Sequence, residues 1–84
     1  MWLNRKKYRV KLHGRAGIIY EENGRSMVID SEMLAGPSFD IIIYLDSMIA
    51  WEIPHQYELV NEEDKVRIRE NITRELNKYR IEWK

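Results

Sequence analysis

Cysteine is missing from this 84-residue chain, which rules out a disulfide framework and any zinc site built on thiolates. Absent too is any apolar run near the roughly 18 residues that a membrane helix needs. The Met1 end carries no apolar signal-peptide core, and the expectation is a soluble, cytoplasmic protein. No Gly-rich phosphate loop or nucleophile-elbow pattern occurs; Ser26, Ser31, Ser38 and Ser47 all lie in other contexts. A chain this size buries only about 60–65% of its unfolded surface, so residues 1–84 are expected to form one domain around one modest core.

Charge is present but sorted, and the formal net charge of zero is a cancellation. Residues 1–15 hold Arg5, Lys6, Lys7, Arg9, Lys11 and Arg15 and no acid. Residues 16–64 hold eleven acids against the single base Arg25, and residues 65–84 hold seven bases against three acids. Such sorting gives patches of opposite sign unless the fold brings them together. The basic ends then either simply solvate, or the acidic middle faces a basic partner.

Tyr8, Val10 and Leu12 alternate with Arg9, Lys11 and His13, the period of a half-buried strand. Gly14-Arg15-Ala16-Gly17 turns the chain. Asn23-Gly24 then sits between two strand-like runs and suits both positive-φ positions of a type I′ hairpin turn. A two-residue loop pairs Glu22 with Arg25, Tyr20 with Met27, and Ile18 with Ile29. One hairpin face is then apolar with an ion pair at its tip. Gly36-Pro37 breaks the chain before residues 39–45, the most strongly strand-forming run, which predicts a central strand. Phe39, Ile41, Ile43 and Leu45 would share one face, and Asp40, Ile42, Tyr44 and Asp46 the other. A short extended piece over 50–53 ends at Pro54, and the residues to Leu59 read as loop. Asn61 caps a helix opened by Glu62, Glu63 and Asp64, with Ile68, Ile72, Leu76 and Tyr79 as its apolar stripe. Glu63–Arg67 and Glu70–Arg74 are favourable i,i+4 pairs on its wet side. Ile81-Glu82-Trp83 reads as a short last strand. The fold class is α+β: four or five mostly antiparallel strands with one C-terminal amphipathic helix packed on a face.

Gly24-Arg25-Ser26, the stretch 33–37, Phe39-Asp40, the stretch 44–47, and Trp51 with Pro54 give the chain a resemblance to a known family. It resembles the small single-domain immunity proteins of bacterial polymorphic-toxin and contact-dependent inhibition systems, over roughly residues 17–83. The resemblance implies a non-catalytic antitoxin that binds a cognate toxin domain and blocks its active site or substrate path. Many such toxins are nucleases with basic clefts, which an acidic surface would suit.

The residues themselves argue against catalysis. His13 and His55 are far apart and neither has a carboxylate at ligand spacing, so no metal or other cofactor is expected. Asp40 and Asp46 would lie about 20 Å apart along one strand, too far for an acid–base pair. No small-molecule ligand is expected. Nucleic-acid binding is the rival: residues 5–11 interleave Arg5, Lys6, Lys7, Arg9 and Lys11 with Tyr8 and Val10, as a phosphate-tracking strand would. Against this, the sheet centre is acidic, and lysines on an edge strand also discourage intermolecular pairing. A protein-binding module fits more of the residues, with Asp40, Tyr44, Asp46, Trp51 and Glu52 as its candidate contacts. Trp51 has two readings, a hot spot for a partner or a cover for the end of the core. Trp83, beside the helix stripe, reads as core.

Overall fold

The structure is a computed structural model in which residues 7–14 and 17–84 are described. Met1, Arg5, Lys6, Arg15 and Ala16, named above, lie outside the described residues. Among the described residues six strands and one α-helix follow in the order β1 (Tyr8–Leu12), β2 (Ile18–Glu22), β3 (Arg25–Ile29), β4 (Ser31–Met33), β5 (Ile41–Ile43), α1 (Glu62–Glu75) and β6 (Ile81–Trp83). The class is α+β, as the sequence predicts, but the strands divide into two three-stranded sheets rather than one.

The first sheet, β1-β2-β3, is antiparallel throughout. Its hairpin register pairs Glu22 with Arg25, Tyr20 with Met27 and Ile18 with Ile29, as the two-residue loop requires. Asn23 and Gly24 have φ of 50° and 77°, the two positive values of that turn. At Gly17 a Cβ would collide with the Ile29 carbonyl oxygen, so only glycine lets β2 start this close to the end of β3.

Asp30 is the one-residue joint where the chain leaves the first sheet, for β4 pairs with β5 in the second. There β5 lies antiparallel to β4 and parallel to β6. The β5-to-β6 connection runs through α1, the kind of crossover that parallel strands need. The predicted long strand over 39–45 shrinks to Ile41–Ile43, because Ser47 turns the chain just beyond it. Its hydroxyl donates to the Tyr44 carbonyl (2.6 Å) and accepts from the Asp30 amide (2.9 Å), which closes a 3-10 turn over Leu45–Ser47. Asp46 sits on that turn, so the even spacing that would place it on the Asp40 and Tyr44 face does not carry beyond Tyr44.

Helix α1 begins where the sequence says. The Asn61 side chain accepts from the Asp64 amide (2.8 Å) and the Asp64 carboxylate accepts from the Asn61 amide (3.1 Å), a reciprocal capping box. Ile68, Ile72 and Leu76 enter one buried cluster with Ile18, Tyr20, Met27, Ile29, Ile41, Ile43, Met48 and Trp51. Tyr79 and Trp83 pack against it, partly buried. Helix and both sheets therefore share a core, and each buried isoleucine adds about 1.5–3 kcal/mol over an exposed one.

Candidate protein-binding surface

Glu22 continues the apolar face of β2 and is only 5% exposed, the one buried charged residue among those described. Arg67 reaches it from the helix in a fork, with Nε 3.0 Å from Oε1 and Nη2 2.6 Å from Oε2. The Tyr20 hydroxyl donates to it at 2.7 Å and Arg25 approaches at 3.3 Å. Asn71 in turn donates to the Tyr20 oxygen (2.8 Å), and Asp64 holds Arg67 at 3.0 Å. Burial alone would push the Glu22 carboxyl up; the bonds from Arg67 and Tyr20, with the Arg25 charge, outweigh it and hold the group below its ordinary value. Burial and the neighbouring carboxylate push the Tyr20 phenol up. Glu22 is thus an ionised, fully bonded cross-link between hairpin and helix, with no lone pair left to serve as a base.

Arg67 and Arg74 do not make the i,i+4 pairs expected of them. Arg67 turns to Glu22 and Asp64, and Arg74 bonds the Asn71 side-chain oxygen at 3.2 Å. His55 also departs from expectation, for a carboxylate does stand beside it: Nδ1 lies 2.7 Å from Glu58 Oε2. The other Glu58 oxygen accepts from Arg25 (2.8 Å), and His55 and Arg25 together hold Glu58 below its ordinary value. Glu58 thus bridges His55 and Arg25, and no group of three ligating side chains able to hold a metal occurs among the described residues.

The five residues singled out from sequence sit in unlike surroundings. Asp40 is tied to Arg80, accepting from its backbone amide (2.8 Å) and from its guanidinium (3.0 Å), which keeps the carboxyl below its ordinary value. Tyr44 is half-buried, its amide bonded to the Asp30 carbonyl. Asp46 and Glu52 are exposed, and their carboxylates have no partner among the described residues. Trp51 is 2% exposed and takes the end-of-core reading rather than the hot-spot one. Tyr20 lies beside its ring (6.4 Å) and the Arg25 guanidinium lies over it at 4.3 Å.

Trp51 anchors the stretch that the sequence reads as a short extended piece over 50–53 followed by loop to Leu59. The Ala50–Leu59 bridge joins the ends of this loop, and Glu52 donates its amide to the Ser26 carbonyl of β3 (2.8 Å). Between those ties it turns twice, through His55 N to Glu52 O and Glu58 N to His55 O, around a cis Ile53–Pro54 bond. Outward it shows Ile49, Ile53, Tyr57 and Leu59, which are 71–87% exposed. A sequence signal was available: four large apolar side chains in and beside a stretch interrupted by Pro54 have no regular element to give them a core face.

Open grooves also mark the surface. One of about 310 Å³ lies at the hairpin tip between Tyr8, Arg9 and the residues 21–26, and one of about 640 Å³ runs along the outer face of α1 past Val66, Arg69 and Arg74. Neither is lined by a histidine. On β1 the rival phosphate-binding stripe is partly spent, since Arg9 pairs with Glu21 at 2.8 Å. No helix among the described residues is long and apolar enough to cross a membrane.

Around its saturated internal ion network this small α+β protein displays an acidic flank and an exposed apolar loop. The family described as Immunity protein 74 matches residues 9–83, and the chain belongs to that family of toxin-system immunity proteins. The match starts eight residues earlier than the resemblance seen in the sequence and takes in β1. Comparison with curated proteins and with solved structures gives no match.

Proposed function

We propose that this chain is a single-domain, non-catalytic antitoxin that acts in the cytoplasm. Its target is a nuclease toxin domain with a basic substrate cleft, from a polymorphic-toxin or contact-dependent inhibition system. Family membership supports the antitoxin role. The observation that carries the choice of target is the charge of the surface. Residues 26–64 contain no lysine or arginine, and Asp30, Glu32, Asp46 and Glu52 are exposed, their carboxylates without partners among the described residues. A fixed negative field of that kind speeds encounter with a basic cleft and turns away wrong partners. Asp46 and Glu52 form the acidic rim of the contact and Tyr44 lies at its edge. Asp40, neutralised by Arg80, contributes less, and Trp51 supports the rim from beneath.

The test is to identify a toxin domain encoded beside this gene and assay its inhibition on labelled DNA and RNA. Equimolar protein should abolish cleavage, and the protein alone should cleave neither substrate. Continued cleavage at saturating protein, or turnover by the protein itself, defeats the proposal. Salt-sensitive nucleic-acid binding that disappears on Lys7→Ala and Lys11→Ala would favour the rival reading instead.

A further inference from the structure

We infer that the loop closed by Ala50 and Leu59 is the anchor by which the toxin domain is held, an inference that rests on the antitoxin reading above. Ile49, Ile53, Tyr57 and Leu59 are exposed at 71%, 80%, 87% and 85%. Isolated apolar residues on a surface need no explanation, but three on one short loop with joined ends, with Ile49 just before its first residue, make a patch, and such patches mark docking sites.

The loop is also braced. Trp51 is sunk into the core beneath it, Glu52 is bonded to β3, and Glu58 is gripped by both Arg25 (2.8 Å) and His55 (2.7 Å). A backbone held on both sides presents its side chains with little ordering left to undergo on binding, which favours a long-lived complex.

Charge selects the occupant. Residues 44–64 contain no lysine or arginine, and although Glu58, Glu62 and Asp64 pair with Arg25, Lys65 and Arg67, the carboxylates of Asp46, Glu52 and Glu63 have no partner among the described residues. The partner surface is therefore an apolar depression edged by basic groups. A second copy of this chain is a poor occupant, because a two-fold contact through the loop would set one acidic rim against another. The toxin domain, whose cleft is basic on the reading above, fits both features.

The experiment measures binding of a catalytically inactive form of the neighbouring toxin domain to wild-type protein and to Ile53→Ala, Tyr57→Ala and Leu59→Ala. Each variant is first shown to melt with the wild type; Val66→Ala, an exposed apolar residue on α1, is the control. Tyr57→Ala should weaken binding by about tenfold or more, chiefly through faster dissociation, with Ile53→Ala and Leu59→Ala in the same direction and the control unchanged. If wild type binds and the loop variants bind equally well, the loop is not the anchor and the antitoxin reading survives. If wild type does not bind, both fall. Sedimentation showing a dimer of the chain alone, lost on Tyr57→Ala, would give the loop to a second copy and overturn the assignment.

Discussion

The tip of the β2–β3 hairpin and the segment 44–64 are both acidic in sequence, and the fold treats them in opposite ways. At the hairpin, Glu22 is drawn inward and its charge is consumed by Arg67, Arg25 and Tyr20. In the later segment, Asp46 and Glu52 stay in water without partners among the described residues. What separates the two is where a base can reach. The helix runs past Glu22 and lends it Arg67, whereas no base falls within 26–64 and none of the described cations bonds to Asp46 or Glu52. Acidity at the first place is a matter of stability; at the second it is available for recognition.

The sharpest break between inward and outward roles falls within two residues. Trp51→Ala should cost about 4 kcal/mol of stability, since it empties the space of a fully buried ring beneath the loop. Ile53→Ala, at a side chain 80% exposed, should change stability by less than about 0.5 kcal/mol. Urea unfolding of both variants gives the comparison directly. Trp51→Phe should lose far less than Trp51→Ala, because it also removes an indole N–H that is buried with no acceptor among the described residues. Equal losses for Trp51→Ala and Ile53→Ala would mean that the loop is not anchored through the indole.

Glu22→Ala should cost about 3 kcal/mol, at the low end of values for breaking a buried pair, because Arg67 is 43% exposed and can find water. The sign with pH follows from the folded carboxyl lying below its ordinary value of 4.5. Its stabilisation is complete above that value and is lost as pH falls through the folded value. Glu58, Asp64 and Asp40 are displaced in the same direction. The melting temperature should therefore hold near neutrality and fall on acidification below about pH 4.5, and the gap between wild type and Glu22→Gln should narrow over the same range. A gap that stays constant down to about pH 3 would remove Glu22 from the acid transition.

Local rules made much of this legible. The I′ turn, its register, the Asn61 cap, the stripe through Leu76 and the last strand all depend on residues close in sequence. What escaped depends on residues far apart. Arg67 lies 45 positions from Glu22, so its local partner Glu63 looked as good. Asp30 is where one strand pair ends and another begins, and its bond to Ser47 spans 17 positions. A strand-forming run over 39–45 gave no hint that this side chain would end it. Glu22 itself left a mark, since a carboxylate continuing the Ile18–Tyr20 face needs a buried cation. Trp51 went to the core because the hairpin, and not the loop, supplies the surfaces that enclose it.

The smallest effect expected on the fold is the one most informative about the partner. Asp46→Lys and Glu52→Lys change exposed, unpaired side chains, so stability should move by less than about 0.5 kcal/mol. If the toxin cleft is basic, each reversal weakens the field that guides encounter, and association at low salt should slow by roughly three- to tenfold. Dissociation should hardly change, because rim charges act on approach while the apolar anchor sets the lifetime. At about 1 M salt the Debye length is near 3 Å, and the difference from wild type should vanish. Glu22→Gln, whose charge is spent inside the protein, should show no comparable salt-dependent slowing. Stopped-flow association across a salt series separates the outcomes. Slowing that persists at high salt would turn Asp46 and Glu52 from steering charges into direct contacts. Association untouched at every salt concentration would place the toxin on another face of the molecule.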